Sequence, residues 1–240
     1  AKKLATFVNP GIVRYHNSWI EEPPSGWQKA FDTMLFKKLG YCMPDDHKPI
    51  QYGDISMFLY IQTEVCKSSL AEWLSSNKTR DPIIIKSWFN HIVCAVAYIH
   101  AQNTMHRDLK PGNILVSSDD TIKICDLGIA TTIKSEKGDA LTLRTDIGTN
   151  LYKAPEQFSA LPIYDHRVDI FAMGLILLEK AQSWTEEERS KYFCYIRCAT
   201  KLPFLQELPD TLDLVTKLTK LDKDQRPGLE EILKHPFFSE

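Results

Sequence analysis

The sequence has no stretch that reads Gly-x-Gly-x-x-Gly, and only 10 of its 240 residues are glycine. It therefore holds no glycine-rich loop of the kind whose backbone wraps nucleotide phosphates. Charge of one sign is also lacking. The 29 Lys and Arg stand against 31 Asp and Glu, a formal net charge of −2, so no global field draws the chain to nucleic acid or to an anionic membrane. Its purely apolar runs fall far short of the roughly 18 residues that a bilayer span requires. Nor does it open with the basic, apolar and small-residue succession of a secretory signal. The six cysteines, Cys42, Cys66, Cys94, Cys125, Cys194 and Cys198, follow no regular spacing, and several sit in apolar segments. They read as reduced core or near-core thiols rather than a disulfide framework. Cys194 and Cys198 are four apart and can share a helix face, but two further metal ligands are not near them in sequence. What remains is a chain that is 43% hydrophobic, enough for one large core, or one core with a small annexed layer.

Hydrophobic periodicity divides the chain. Residues 1–8 read as the last turns of a helix with Leu4, Phe7 and Val8 on one side, stopped by Asn9-Pro10-Gly11. Ile12 to Ile20 and Met57 to Gln62 read as strands. Between them, residues 21–54 are broken by Pro23, Pro24, Gly26, Gly40, Pro44, Pro49 and Gly53, an insert loop with room for a short helix at 27–38. From residue 70 the pattern turns helical. Asp81 caps and Pro82 opens a long helix to about His100, with Ile85, Trp88, Phe89, Ile92, Val93, Val96 and Ile99 at helical spacing. Ile114–Val116 and Thr121–Ile124 are short strands around a turn at 117–120. Residues 129–148 lack periodicity and read as a mobile loop. Asp165 to Glu179 is apolar on nearly every side, which places that helix inside a core. Further helices are expected near 186–199, 211–219 and 228–234.

Residues 106–113 read His-Arg-Asp-Leu-Lys-Pro-Gly-Asn, followed by Asp126-Leu127-Gly128 and then Ala154-Pro155-Glu156. In that order the three motifs form one phosphate-transfer site. Asp108 is the candidate general base for a substrate hydroxyl. Lys110, two residues on, offsets charge on the transferring phosphoryl group. Asn113 and Asp126 supply oxygen ligands for Mg2+ on ATP. The pattern resembles that of protein kinases, and Lys110 suits their Ser/Thr branch. The resemblance implies an α+β fold, with a partial small lobe at 1–66 (insert at 21–54) and a mostly helical large lobe at 67–240. It makes Thr63 the gatekeeper of an adenine pocket, with Glu64 and Cys66 on the link that binds the base. It gives Arg107 a phosphorylated loop residue to pair with. Thr145 is the favoured phosphosite among Thr142, Thr145 and Thr149, and Thr149 the residue that meets Asp108 and Lys110. Structural roles fall to Glu156 with Arg226 as a buried ion pair, Asp169 beneath the catalytic loop, His106 as its packed orienter, and Leu127 in place of the usual Phe.

Asn9-Pro10-Gly11-Ile12-Val13-Arg14-Tyr15-His16-Asn17-Ser18-Trp19, Leu59-Tyr60-Ile61-Gln62, Leu151 to Gln157 and Val168 to Ile176 narrow the resemblance. They are similar to the kinases of the α subunit of eukaryotic translation initiation factor 2. Pro23-Pro24 and Gly26-Trp27-Gln28-Lys29 look like the endoplasmic-reticulum-resident member. That membership implies transfer of the ATP γ-phosphate to a serine of the α subunit, lowering translation initiation under stress. It also implies homodimers that phosphorylate in trans, with no nucleic-acid contact evident in this segment. It places the domain in the cytoplasm, with the parent of that member tethered to the endoplasmic reticulum membrane. Thr185, Glu188 and Arg189 match the start of the group's substrate-docking helix, although Thr185 as an N-cap before an acidic first turn explains the same residues. The glycine-rich loop and the Val-Ala-x-Lys lysine that kinases carry upstream are absent, and the chain starts at Ala1 inside a helical pattern. The expectation is an N-terminally truncated piece, weakly active or inactive by itself. The alternative is a catalytically silent kinase-like binding module.

Overall fold

Asp81 ends an extended segment, and its side chain accepts a hydrogen bond from the Ile83 N–H at 2.8 Å. Pro82 occupies the first helical turn, where its missing N–H costs nothing. The helix so opened, Pro82–Ala101, buries Ile85, Trp88, Phe89, Ile92, Val93, Val96 and Ile99 as its spacing predicts. It is the one helix among the described residues long and apolar enough to cross a bilayer by composition. The apolar side chains from Ile85 to Ile99 just named are instead part of the protein core, while Ile83 is 77% exposed. The computed structural model describes residues 6–22, 57–127, 131–132, 149–158, 165–198 and 208–239. The insert with its helix at 27–38, and Thr142 and Thr145, lie outside the described residues.

The strands are β1 Tyr15–Glu21, β2 Phe58–Thr63, β3 Ser68–Ser69, β4 Thr104–Met105, β5 Ile114–Val116, β6 Ile122–Ile124 and β7 Thr131–Thr132. The helices are α1 Leu70–Ser76, α2 Pro82–Ala101, α3 Arg167–Ala181, α4 Glu186–Arg197, α5 Pro209–Leu218 and α6 Leu229–Leu233. The fold is α+β. Antiparallel β1 and β2 pair from Tyr15↔Thr63 to Glu21↔Phe58. A second sheet has the order β3-β5-β6, and β4 pairs with β7. The last pair places a short strand at 131–132, inside a stretch expected to be loop.

The chain separates into two units: Tyr15–Thr63, and a larger one of Glu64–Glu240 together with Lys2–Arg14. The expected boundary at residue 66 followed chain order, whereas the contacts assign the segment before Tyr15 to the larger unit. Ile12, expected in the first strand, makes an isolated bridge to Ile124 and is buried. Val13 N–H donates to the Ile124 carbonyl at 2.9 Å and Ile124 N–H to the Gly11 carbonyl at 2.8 Å. Gly11 is required there, because a Cβ would lie 2.9 Å from the Ala95 Cβ. Of the apolar side expected for residues 1–8, Phe7 is buried, but Val8 is 85% exposed. Only Thr6 is helical among the described residues at this end, so helical periodicity does not apply to Val8.

Within the larger unit, α3 is buried at every position from Val168 to Ala181. The all-round apolar pattern predicts this. Its tightest approach is to the end of α5. A Cβ at Gly174 would lie 2.6 Å from Thr219 Cγ2 and 2.9 Å from Leu218 Cβ. β5 and β6 enclose the turn 117–120, where Ser117 Oγ bonds the Thr121 carbonyl at 3.0 Å and Asp120 takes a φ of 60°. The hairpin delivers Asn113 to its start and Cys125-Asp126 to its end. Cys125 N–H donates to the Asn113 carbonyl at 2.9 Å, holding the two ends side by side.

The thiols are free where described, as expected of reduced cysteines. Their placement corrects the reading as core or near-core: Cys94, Cys194 and Cys198 are exposed, and Cys66 and Cys125 are half-buried. Apolar neighbours in sequence did not indicate which helix face each cysteine occupies.

Candidate active site

The catalytic loop hangs from one carboxylate. Asp169, in the first turn of α3, is 1% exposed. Its Oδ2 accepts from the His106 N–H at 2.8 Å and its Oδ1 from the Arg107 N–H at 2.8 Å. His100 Nε2, from the last turn of α2, lies 2.8 Å from Oδ2. Burial pushes the Asp169 carboxyl up, but the His100 hydrogen bond and the His100 and His106 groups around it outweigh burial and hold it below the usual range. A charged acceptor fixes both N–H groups, and Arg107 is held at a φ of 69°. Backbone strain of this kind persists where the surroundings over-determine it.

His106 is fully buried. Its Nδ1 accepts from the Asp108 N–H at 3.3 Å, so Nε2 carries the proton and donates to the Cys125 carbonyl at 2.9 Å. The ring thus ties the loop to the segment that bears Asp126, the orienting role expected of it.

Asp108, 8% exposed, points its Oδ2 at Lys110 Nζ, 2.9 Å away. Asn113 Nδ2 donates to the Asp108 carbonyl at 2.8 Å and to Oδ2 at 3.1 Å. Both partners are acceptors, so the Asn113 amide nitrogen faces Asp108 and its oxygen is turned away. Asp126 is exposed and has a φ of 58°, a second left-handed non-glycine residue in the site. Leu127 is 4% exposed within the core cluster, as its apolar character predicts. Asp108, Lys110, Asn113 and the Asp126 backbone are therefore brought together by the loop, the β5–β6 hairpin and α3. An amide oxygen and an exposed carboxylate are hard oxygen donors, a set that fits Mg2+ with phosphate oxygens and water completing its shell. Among the described residues no three His, Cys, Asp or Glu side chains cluster as a metal cage.

Glu64 and Cys66 lie on the extended link after β2. Glu64 N–H donates to the Arg14 carbonyl at 2.9 Å and Lys67 N–H to the Val116 carbonyl at 2.8 Å, so the link is pinned at both ends. The Glu64 side chain meets Lys123 at 2.9 Å. Thr63 closes β2 in the smaller unit, opposite Tyr15. Burial, then the Glu64 charge, pushes the Cys66 thiol up. Burial, then Asp126, pushes Cys125 to about 11. Neither thiol is a ready nucleophile.

The segment 149–158 is held from three directions. Arg226 is bidentate on Glu156 at 2.6 and 2.9 Å, and it fills its other donors with the carbonyls of Arg167, Lys220 and Leu221. This is the expected ion pair. Gln157 joins the two loops, accepting from Ala154 N–H at 2.9 Å and donating to the Arg107 carbonyl at 3.3 Å. The Tyr152 hydroxyl bonds Glu179, which pairs with Arg189 at 2.9 Å. Burial, then the Glu179 charge, pushes Tyr152 well above its usual range, so it remains a donor. Arg197 donates to the carbonyls of Lys153, at 2.8 and 3.2 Å, and Leu151. Gln157, Tyr152 and Arg197 were not singled out from sequence. The one sequence signal for Phe193 and Arg197 was their spacing of four from Arg189, which puts all three on one face of α4. The side chain of Thr149 lies outside the described residues.

At the N-terminus of α4, Thr185 and Glu188 make a reciprocal capping box. Arg189 is turned to Glu179, so of the three residues matched to a docking helix each has a structural task here. Thr185, Glu186, Glu187 and Ser190 line an open groove of about 650 Å³.

Residues 49–238 match the protein kinase domain. The chain belongs to the protein kinase family. Among this kinase's relatives, the mouse interferon-induced, double-stranded RNA-activated protein kinase is 35% identical over 237 residues, covering 96% of this chain and 41% of that protein. The eukaryotic translation initiation factor 2-alpha kinase pek-1 of Caenorhabditis elegans is 33% identical over 205 residues, 77% of this chain and 19% of that protein. The bovine eukaryotic translation initiation factor 2-alpha kinase 3 is 32% identical over 206 residues, 80% and 18%. The kinase chain thus spans less than half the length of these relatives.

Proposed function

We propose that this protein is a Ser/Thr kinase that transfers the γ-phosphate of ATP to a serine of the translation initiation factor 2 α subunit, lowering initiation under stress. The observation that carries the reading is the Asp108 carboxylate, held against Lys110 and Asn113 on a loop that Asp169 fixes. Asp108 accepts the proton of the acceptor hydroxyl as its oxygen attacks phosphorus in line with the departing ADP oxygen. Lys110 balances charge on the phosphoryl oxygens. Asp126 and the Asn113 amide oxygen would hold magnesium, which would supply charge neutralisation on the phosphates. Thr63, Glu64 and Cys66 are the adenine-side residues of this proposal. Two relatives known as translation initiation factor 2-alpha kinases support the substrate, and so does the match of Thr185, Glu188 and Arg189 to a docking helix. The capping box serves that helix without competing with docking, because the groove beside it is lined by other side chains as well. Homodimers phosphorylating in trans, and a cytoplasmic domain whose parent is tethered to the endoplasmic reticulum, complete the reading.

The test is steady-state phosphotransfer by the full-length protein with MgATP, comparing the purified α subunit with an unstructured serine-rich protein. Preferential modification of a serine in the α subunit is expected. Transfer to the unstructured protein alone would leave a kinase and remove the assigned substrate.

A further inference from the structure

One face of α4 bears on the segment that follows Thr149. Arg189 reaches it through Glu179 and Tyr152, the Phe193 ring meets Tyr152 at 5.4 Å, and Arg197 holds the carbonyls of Leu151 and Lys153 directly. Cys194 and Cys198 flank Arg197. Both are exposed. Cys198 is the C-cap residue, its N–H bonded to the carbonyls of Cys194 at 3.0 Å and Tyr195 at 3.1 Å.

We infer that Cys194 and Cys198 are a redox-modifiable dithiol, and that its oxidation by a peroxide to a disulfide withdraws Arg197 from Leu151 and Lys153. Four-apart positions in a helix hold their Cβ atoms about 5–6 Å apart. A disulfide requires about 3.5–4.5 Å. The bond cannot close on the intact last turn, and the bonds that must give way are those of the Cys198 N–H. A helix end yields them at least cost, since the carbonyls of the last turn have few helical partners to lose. Arg197 lies inside the turn that tightens, so its guanidinium cannot keep its place.

Cys194 attacks first and Cys198, at the helix end, resolves; the reverse order gives the same products. The Cys194 thiolate attacks one oxygen of hydrogen peroxide, the O–O bond breaks, and a sulfenic acid forms as hydroxide leaves. Cys198 then attacks that sulfur, the S–S bond forms, and the sulfenic oxygen departs as water. Two thiols and one peroxide give one disulfide and two waters. The sulfurs are oxidised, the peroxide oxygens reduced, and both thiol protons end in water. The dithiol stands on its own geometry, whereas its effect on phosphotransfer rests on the function proposed above.

The test treats the full-length protein with hydrogen peroxide, alkylates the remaining thiols, and maps peptides by mass. A Cys194–Cys198 cross-link reversed by dithiothreitol is expected. Amide exchange at 151–153 should quicken with the cross-link, and phosphotransfer should fall on the order of tenfold, the scale of one strong hydrogen bond lost. Cys194→Ser should keep its basal rate and resist peroxide. Absence of the cross-link overturns the inference. So does a cross-link that leaves amide exchange at 151–153 unchanged, or equal peroxide sensitivity of wild type and Cys194→Ser. A wild-type protein without phosphotransfer would instead refute the proposed function, and cross-linking with amide exchange would still decide the dithiol.

Discussion

Replacing Arg226 with methionine should unfasten the segment 149–158 from the helical core. Arg226 is fully buried at its side chain, and Glu156 is 17% exposed. All five guanidinium N–H groups have acceptors: two on Glu156 and three on the carbonyls of Arg167, Lys220 and Leu221. The substitution keeps most of the volume and the contact with Phe171, whose ring centre lies 5.0 Å from the guanidinium carbon. What it removes is the charge and all five donors. Breaking a buried pair from one side costs about 3–5 kcal/mol. That is a large fraction of the 5–15 kcal/mol typical of a folded domain. At about 2–4 °C per kcal/mol for a domain of this size, the midpoint should fall by roughly 6–20 °C. Thermal and urea unfolding of Arg226→Met, Glu156→Gln and the double variant close a cycle. The account expects the double variant to be far less destabilised than the sum of the singles. Additive losses, or a loss below about 1 kcal/mol for Arg226→Met, would refute the reasoning.

Lys180 is buried at 0% exposure, its Nζ is without a hydrogen-bond partner among the described residues, and it lies over the Trp88 ring at 4.8 Å. Lys180→Met should stabilise by about 1–3 kcal/mol at neutral pH, read by urea unfolding. Burial, then Arg80, holds the folded-state amine well below its ordinary value. The penalty is therefore full below the folded value and shrinks as pH rises toward the unfolded one, and the advantage of methionine must shrink with it. Asp169→Asn should cost on the order of 1.5–3 kcal/mol, since an amide cannot accept at both positions where two backbone N–H groups donate. The Asp169 carboxyl is depressed in the fold, so its contribution is complete above the unfolded value of about 3.9 and is lost as pH falls through the folded value. The gap between variant and wild type in acid unfolding should close below that pH. Gly174→Ala would gain about 1 kcal/mol of helix propensity but meets Thr219 and Leu218, an overpacking of about 1–3 kcal/mol. A calorimetric midpoint at or below wild type is expected.

The long helices were legible because their periodicity reports burial directly. Asp81 with Pro82 marked one start, and the unbroken apolar run from Val168 marked the helix that sits inside the core. The meeting of Asp108, Lys110 and Asn113, with Asp126 at the end of the adjoining hairpin, was legible because they stand at spacings that a loop and one hairpin can close. Glu156 with Arg226, Asp169 and His106 are far apart in sequence, and it was the resemblance, not spacing, that placed them. Local spacing did not reveal contacts made across the fold. Tyr152, Glu179, Arg189 and Arg197 come from three separate segments, and none of those segments is unusual by itself. Two-residue strands such as 68–69 and 104–105 carry too few residues for alternation to show. Val8 was misplaced because a short irregular stretch has no period to assign its face, and the exposed cysteines because apolar neighbours were read in place of the helix face each one occupies.

The most direct measurement is MgATP-dependent phosphotransfer by the full-length protein beside its Asp108→Asn variant, with folding checked by unfolding midpoint. The account predicts robust transfer to serine by the wild type and a loss of at least about 100-fold in the variant, the lower end of what a positioned base contributes, at a nearly unchanged midpoint. Equal transfer by both proteins, or none by either, would contradict it.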